Sequence, residues 1–217
     1  MKKITIITGH YGSGKTNFSV NLAVKAAQAG EKVTIVDLDI VNPYFRTADF
    51  KELFGEMGIR LVAPDYANTS LDLPSLQFDI VQLAMNEGRL IIDVGGDDAG
   101  AVALGRYAAQ LEQFADEIEM LCVVNQRRTL TASANDAAVL IYEIEAAARM
   151  KHTGIVNNTN LGKETTSEIV EKSREFADEV CGLTNLPLFC TVYPEGCETS
   201  AEDAFEAKVY VKPVWEL

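Results

Sequence analysis

Residues 9–17 read GHYGSGKTN and come directly after the apolar run ITIIT at 4–8. Gly9, Gly14, Lys15 and Thr16 satisfy the spacing G-x-x-x-x-G-K-[ST], set between a β-rich run and a helical one. Glycines let backbone N–H groups turn inward and approach phosphate oxygens with no Cβ in the way. The next helix aims its positive end at the anion. Lys15 is placed to reach β- and γ-phosphates, and the Thr16 hydroxyl to ligate Mg²⁺. The whole stretch Gly9, His10, Tyr11, Gly12, Ser13, Gly14, Lys15, Thr16 and Asn17 is therefore the candidate nucleotide-binding loop.

Outward from the loop, strand and helix patterns alternate. KKITIIT, KVTIVDLD, IRLVAP, RLIIDVGG, IEMLCVVN, HTGIVNN and LPLFCTVY read as seven strands, of which KVTIVDLD is nearly apolar throughout and rich in β-branched residues, as a parallel strand buried on both faces is. Between them, residues 16–29, 131–150 and 163–181 carry helical periodicity. Thr131 is the predicted cap of the second helix, and Leu140, Ile141, Ile144, Ala147 and Ala148 its apolar stripe. Strands separated by helices pair in parallel through right-handed crossovers. The expected fold is α/β: a mostly parallel, doubly wound sheet of about seven strands with helices on both faces, in one domain over 1–217. Residues 42–75, with Pro43, Pro64 and Pro74, are the least regular stretch, and KVYVKPVW near the end reads as extended or docked on the body.

The chain has 217 residues, 47% hydrophobic, with a net charge of -13. Such a charge repels nucleic acid and anionic lipid, so neither is an expected partner. The apolar run after MKK is five residues, short of the roughly 7–15 of a secretory leader. No stretch approaches the roughly 20 apolar residues of a membrane span. Cys122, Cys181, Cys190 and Cys197 show no C-x-x-C spacing and read as buried free thiols. A cytoplasmic location is expected.

Two strand ends carry acids: Asp37 and Asp39 after TIV, and Asp93 after LII. In doubly wound sheets ligands bind beyond the carboxyl ends of the strands, so all three belong on the loop's edge. Asp93 is the predicted magnesium-side carboxylate. Asp39 is predicted to orient the attacking water or join the metal shell, whereas Asp37 is equally readable as structural. Gly95 and Gly96 let the backbone approach a γ-phosphate, and Asp97 and Asp98 read as solvated loop charges. Asn157, at the end of a buried strand, is the predicted base contact, with Pro194 and Glu195 as a weaker flank. No N-K-x-D guanine signature is present, which favours ATP over GTP.

The early GHYGSGKTN, VDLDIVNPY after the second strand, LIIDVGG and the late GIVNN together resemble the MinD/ParA/CobQ-type group of P-loop nucleotide-binding proteins. That group lies within the larger class that also holds signal-recognition GTPases. The matching order covers most of residues 1–160. The resemblance implies a Mg-ATP switch, often dimeric, in which Asp39 matches the water-orienting aspartate and Asp93 the metal-side one. VNPYFRTAD would be switch I and GGDDAGA switch II. The group's loop reads K-G-G-x-G-K-[ST], and its first lysine reaches across a dimer to the partner's phosphates. Here that position is His10, and Tyr11 comes next in place of glycine. A neutral histidine does not replace a permanent cation, so Arg46, Arg127 and Arg128 stand as alternative cations.

Within the same resemblance, the bridging cysteines of nitrogenase-type iron proteins, the basic amphipathic tail of membrane-bound division ATPases and the basic surface of DNA-partitioning ATPases are all missing from this sequence. The expected activity is a slow ATPase working as a nucleotide-dependent switch, with a homodimer or a protein partner. The alternative is an ATP-dependent enzyme that activates a small carboxylate, like dethiobiotin synthetase or the cobyrinate-amidating enzymes. Uncharged His10 and Tyr11 would then border the pocket of that small-molecule co-substrate.

Overall fold

β-branched apolar runs and amphipathic helices alternate along the chain, and every strand among the described residues enters one parallel sheet. The structure is a computed structural model that describes residues 1–39, 47–63, 78–199 and 201–211. The elements run β1 (Ile4–Thr8), α1 (Lys15–Gln28), β2 (Val33–Leu38), α2 (Lys51–Glu56), β3 (Arg60–Val62), α3 (Ile80–Met85) and β4 (Arg89–Val94). They continue with α4 (Asp98–Gly105), α5 (Ala108–Leu111), β5 (Ile118–Val124), α6 (Ala134–Ala148) and β6 (Gly154–Asn157). The chain ends in α7 (Ser167–Lys172), α8 (Arg174–Thr184), β7 (Leu188–Pro194) and β8 (Ala204–Ala207).

The strand order is β3-β2-β4-β1-β5-β6-β7-β8. The chain reverses its direction of growth between β1 and its neighbours β4 and β5, which puts the loop after β1 at the switch point where such sheets bind ligands. The side chains of β1 alternate in their burial. Ile7 packs with Phe18, Ala23 and Val24 of α1 and with Ile35 and Ile91 of the adjoining strands. Ile4 and Ile6 pack in the opposite layer, with Leu83, Leu104 and Leu111. That layer continues over β5 and β6, where Ile141 of α6 and Phe176 and Val180 of α8 cover Cys122 and Ile155.

Four readings of the sequence change in detail. The sheet has eight strands. β8 lies in DAFEA, whose acids and alanines give too little apolar contrast to announce a strand, and it pairs with β7 from Thr191↔Ala204 to Pro194↔Ala207. Phe205 makes it part of the core, meeting the Phe18 ring edge-on at 5.0 Å. The second long helix starts at Ala134 and is capped by Ser133, which accepts the Asp136 N–H. Thr131 instead donates its hydroxyl to the Asn125 carbonyl, 2.7 Å, inside a preceding 3₁₀ turn. The stripe on α6 is rotated: Ile141 and Ala148 are buried, while Leu140, Ile144 and Ala147 are only partly covered. The last predicted helix is two, α7 and α8, broken at Ser173.

All four cysteines are free; Cys122 and Cys190 are buried as expected, while Cys181 and Cys197 are partly exposed. The tail does dock. Asn17 accepts the N–H groups of Tyr210 and Val211, and Asn21 accepts that of Lys208. Among the described residues no helix is long and apolar enough to cross a membrane.

Candidate nucleotide site

β2 and β4 lie side by side with Asp37 opposite Asp93. Each stands two residues beyond a member of the α1-facing core, Ile35 or Ile91. Both carboxylates therefore point to the side of the sheet on which α1 begins. Asp93 is 2% exposed. It accepts the hydroxyls of Ser19 on α1, 3.0 Å, and Thr47, 2.5 Å. Burial pushes its carboxyl up to about 6, and neighbouring Asp37 adds to this. The Thr47 and Thr16 hydroxyls and the Lys15 ammonium pull it back.

Asp37 is fully buried. It accepts the backbone N–H of Asp39 and of Ala48, each at 3.0 Å. Of its two open readings, this placement is the structural one: it ties the end of β2 to the 3₁₀ turn at Thr47–Phe50. Asp39 lies against Gly95, where a Cβ would come within 3.1 Å of Asp39 Oδ1.

Lys15 stands among these acids. It is 7% exposed, and its Nζ donates to the His10 carbonyl at 3.1 Å. Burial lowers its pKa, opposed by the charges of Asp93 and Asp39.

Three carbonyls of the loop are drawn aside by cationic or amide donors. Lys15 takes that of His10, Arg128 Nε that of Gly12 at 2.7 Å, and Asn158 Nδ2 that of Ser13 at 2.7 Å. Within the loop the Ser13 N–H also donates to the His10 carbonyl, at 3.1 Å. Gly14 makes the Asn158 contact feasible: its φ is +93°, and a Cβ there would meet Asn158 Nδ2 at 2.1 Å. Ser13 Oγ and Asn125 Nδ2 are buried with no partner among the described residues. Such orphaned groups are the kind a bound polar ligand satisfies.

The loop also touches the segment after β4, where Tyr11 N–H donates to the Gly96 carbonyl at 3.0 Å. A Cβ on Gly96 would sit 2.6 Å from Lys15 Nζ, so this close approach requires glycine.

The structure therefore brings Gly9–Thr16, Asp39 and Asp93 together. It does not bring the Asn157 amide to the loop. That side chain is fully buried and donates to Ser173 Oγ at 2.8 Å, while its Oδ1 accepts the Thr159 N–H. Its neighbour Asn158 is the one that reaches the loop. The Asn17 side chain is likewise engaged with the chain's own residues 208–211. Asp97 caps α4 by accepting the Gly100 N–H, and Asp98 is exposed in its first turn. Arg127 is exposed, and Arg46, with most of VNPYFRTAD, lies outside the described residues. Pro194 and Glu195 close β7, with β5 and β6 between them and β1. Ser19, Thr47 and Asn158 are the site residues that sequence reading did not assign. The Asn158 signal was present in the doubled asparagine of GIVNN.

A model of the CobQ/CobB/MinD/ParA nucleotide binding domain matches residues 4–174. Tyrosine-protein kinase YwqD of Bacillus subtilis (strain 168) is 42% identical over 52 residues, which are 24% of this chain and 22% of that protein. Among solved structures, FtsY from Mycoplasma mycoides superposes with a TM-score of 0.60 at 23% identity over 87% of this chain and 59% of its own. The cell division protein FtsY of Thermotoga maritima gives 0.58 at 19%, over 94% and 64%. The signal recognition particle 54 kDa protein of Aeropyrum pernix K1, solved with GDP, gives 0.56 at 16%, over 88% and 41%. At these identities the likeness is one of fold, and the chain spans about a fifth to two-thirds of the proteins it matches.

Proposed function

This chain belongs to the CobQ/CobB/MinD/ParA nucleotide binding domain family, and we propose that it binds Mg-ATP in the Gly9–Thr16 loop and hydrolyses it slowly as a nucleotide-dependent switch. The observation that carries the reading is Lys15, buried between the loop carbonyl of His10 and the carboxylates of Asp93 and Asp39. A buried cation in a glycine-rich loop at the start of a helix is a receptor for a polyanion.

Magnesium fits the donors. Among the described residues no group of three or more His, Cys, Asp or Glu is poised to hold a metal. Mg²⁺ in nucleotide sites needs fewer, since it is held by one or two carboxylates together with phosphate and water. The Thr16 hydroxyl and Asp93 are the proposed holders, with Asp39 in the outer shell. The bound ion would neutralise charge on the β- and γ-oxygens. In this reading Lys15 binds the same phosphates, Asp39 orients the attacking water, and the Tyr11–Gly96 hydrogen bond lets the segment after β4 report on what the loop holds. ATP is preferred to GTP because N-K-x-D is missing from the sequence. A homodimer or protein partner belongs to the same proposal.

Phosphate release from Mg-ATP tests it. Wild-type protein should turn over slowly, on the order of 10⁻⁴ to 10⁻² s⁻¹ as unassisted P-loop enzymes do. Lys15→Ala should abolish release, and Asp39→Asn should remove hydrolysis while retaining binding. Hydrolysis unchanged in Asp39→Asn would refute the role given to Asp39. The alternative, activation of a small carboxylate, would use the cavity beside His10 and Tyr11, but the acidic lining of that cavity disfavours an anionic substrate.

A further inference from the structure

On the face of the sheet opposite Asp93, a cavity of about 250 Å³ opens between the phosphate loop and α6. Thr8 and Val94 lead into it because they share strand parity with the residues of that layer, Ile6 and Ile92. Gly9, His10 and Tyr11 form one wall, and Gly95 and Gly96 the other. These are the segments joined by the Tyr11 N–H···O Gly96 hydrogen bond. Ala101 of α4 and Leu140, Ile144 and Ala147 of α6 supply an aliphatic floor.

The rim is acidic. Asp97, Asp98 and Glu143 line the mouth and are exposed, and no lysine or arginine is among the lining residues. Tyr11, an aromatic residue 53% exposed, lines the same cavity. Carboxylates, an aromatic face and a short aliphatic floor are the three features that hold an organic cation, by charge, by cation–π attraction and by burial of its stem. An anion meets repulsion from the same groups. The volume is below that of common drug-sized sites, roughly 300–1,000 Å³, so the ligand is small.

We propose that this cavity binds a small organic cation, an ammonium or guanidinium on a short aliphatic stem, and that its occupancy is coupled to the loop's nucleotide. The binding claim stands on the cavity alone. The coupling claim rests on the nucleotide reading above, through the shared wall. By linkage each ligand must change the other's affinity by the same factor.

The test is calorimetric titration of the full chain with agmatine, with butyrate as the anionic counterpart, at fixed ionic strength, with and without Mg-ATP. Agmatine should bind one-to-one, and butyrate should not bind. Ala147→Leu, which fills the floor, should weaken agmatine by about tenfold or more, equivalent to about 1.4 kcal/mol. Glu143→Gln should weaken it by a smaller factor without altering the floor, and its melting temperature serves as the folding control. Mg-ATP should shift agmatine affinity in the wild type. In Lys15→Ala the agmatine affinity should persist and the shift should vanish, so failure of the nucleotide reading is distinguished from failure of the cavity. Non-saturating heat, equal binding of butyrate, or agmatine binding indifferent to both Ala147→Leu and Glu143→Gln would overturn the proposal.

Discussion

Arg128 and His152 show how single side chains hold the loop from its two ends. Arg128 sits on the surface, yet its Nε takes the Gly12 carbonyl at 2.7 Å. Removing this exposed, charge-assisted bond should cost about 1 kcal/mol of nucleotide binding, roughly fivefold in affinity. Arg128→Ala should show that loss with its melting temperature unchanged. Arg128→Lys should recover little of it, because an ammonium does not reproduce the guanidinium edge.

His152 acts from beneath. Its Nε2 lies 2.7 Å from Thr8 Oγ1, at the root of the loop, and its Nδ1 is 3.3 Å from Glu145 Oε1 without an aligned hydrogen bond. Burial lowers its pKa to about 4 from an ordinary 6.5, with Glu145 pulling the other way. A base whose folded pKa is depressed is neutral in the fold and must be charged at a cost as acid is added. Its contribution is complete above about 6.5 and is lost as pH falls towards 4. His152 alone therefore makes the fold about 2 kcal/mol less stable at pH 5 than at pH 7, while Asp93, whose carboxyl is raised to about 6, works the other way and offsets much of this. Urea unfolding of wild type beside His152→Gln should isolate the histidine's part: the wild type should lose stability relative to the variant as pH falls from 7 to 5.

At the scale of elements, the helices carry the site by pressing backbone on backbone. A Cβ on Gly100 of α4 would lie 2.4 Å from the Gly95 carbonyl. Gly100→Ala must therefore lift α4 off the end of β4. Overpacking of this kind costs about 1–3 kcal/mol, so its melting temperature should fall and nucleotide affinity with it, since Gly95 and Gly96 border the loop. The break between α7 and α8 is set by Ser173, whose hydroxyl donates to Val170 O and accepts from Asn157. Ser173→Ala leaves a buried amide donor poorly paired, a loss of about 1–3 kcal/mol. Denaturant titration should show this loss with no change in nucleotide affinity, because Asn157 faces away from the loop.

That break also marks what a sequence cannot disclose. EIVEKSREFADEV is periodic as one helix, and the break falls at Ser173, where the hydroxyl turns back to Val170 and meets the Asn157 amide. The β1–loop–α1 unit was legible because its chemistry is local: glycine spacing, a strand before and a helix after. Asp93 and Asp39 were legible because one edge of a parallel sheet gathers the residues at the carboxyl end of every strand. The side-chain duties of Asn17, Asn157 and Asn158 were not, since an amide serves a tail, a serine or a loop carbonyl equally well until the fold chooses. β8 was not legible because two glutamates and three alanines surround its single aromatic residue between 201 and 207.

Over the whole molecule the strand order places the phosphate loop, the three carboxylates of two strand ends and the α1 terminus on one edge, and the cavity on the other side of the same loop. The net charge of -13 acts over all of it. Self-repulsion of that size weakens when salt shortens the screening length from about 30 Å at 0.01 M to about 8 Å at 0.15 M, so the melting temperature should rise across that range.

The central claim is that a buried Lys15 receives the phosphates of a nucleotide. Equilibrium titration of Mg-ATP and Mg-GTP into the wild type and Lys15→Ala tests it most directly. One Mg-ATP bound per chain, tighter than Mg-GTP and lost in Lys15→Ala, is the predicted result. No nucleotide binding by the wild type, or undiminished binding by Lys15→Ala, would contradict it.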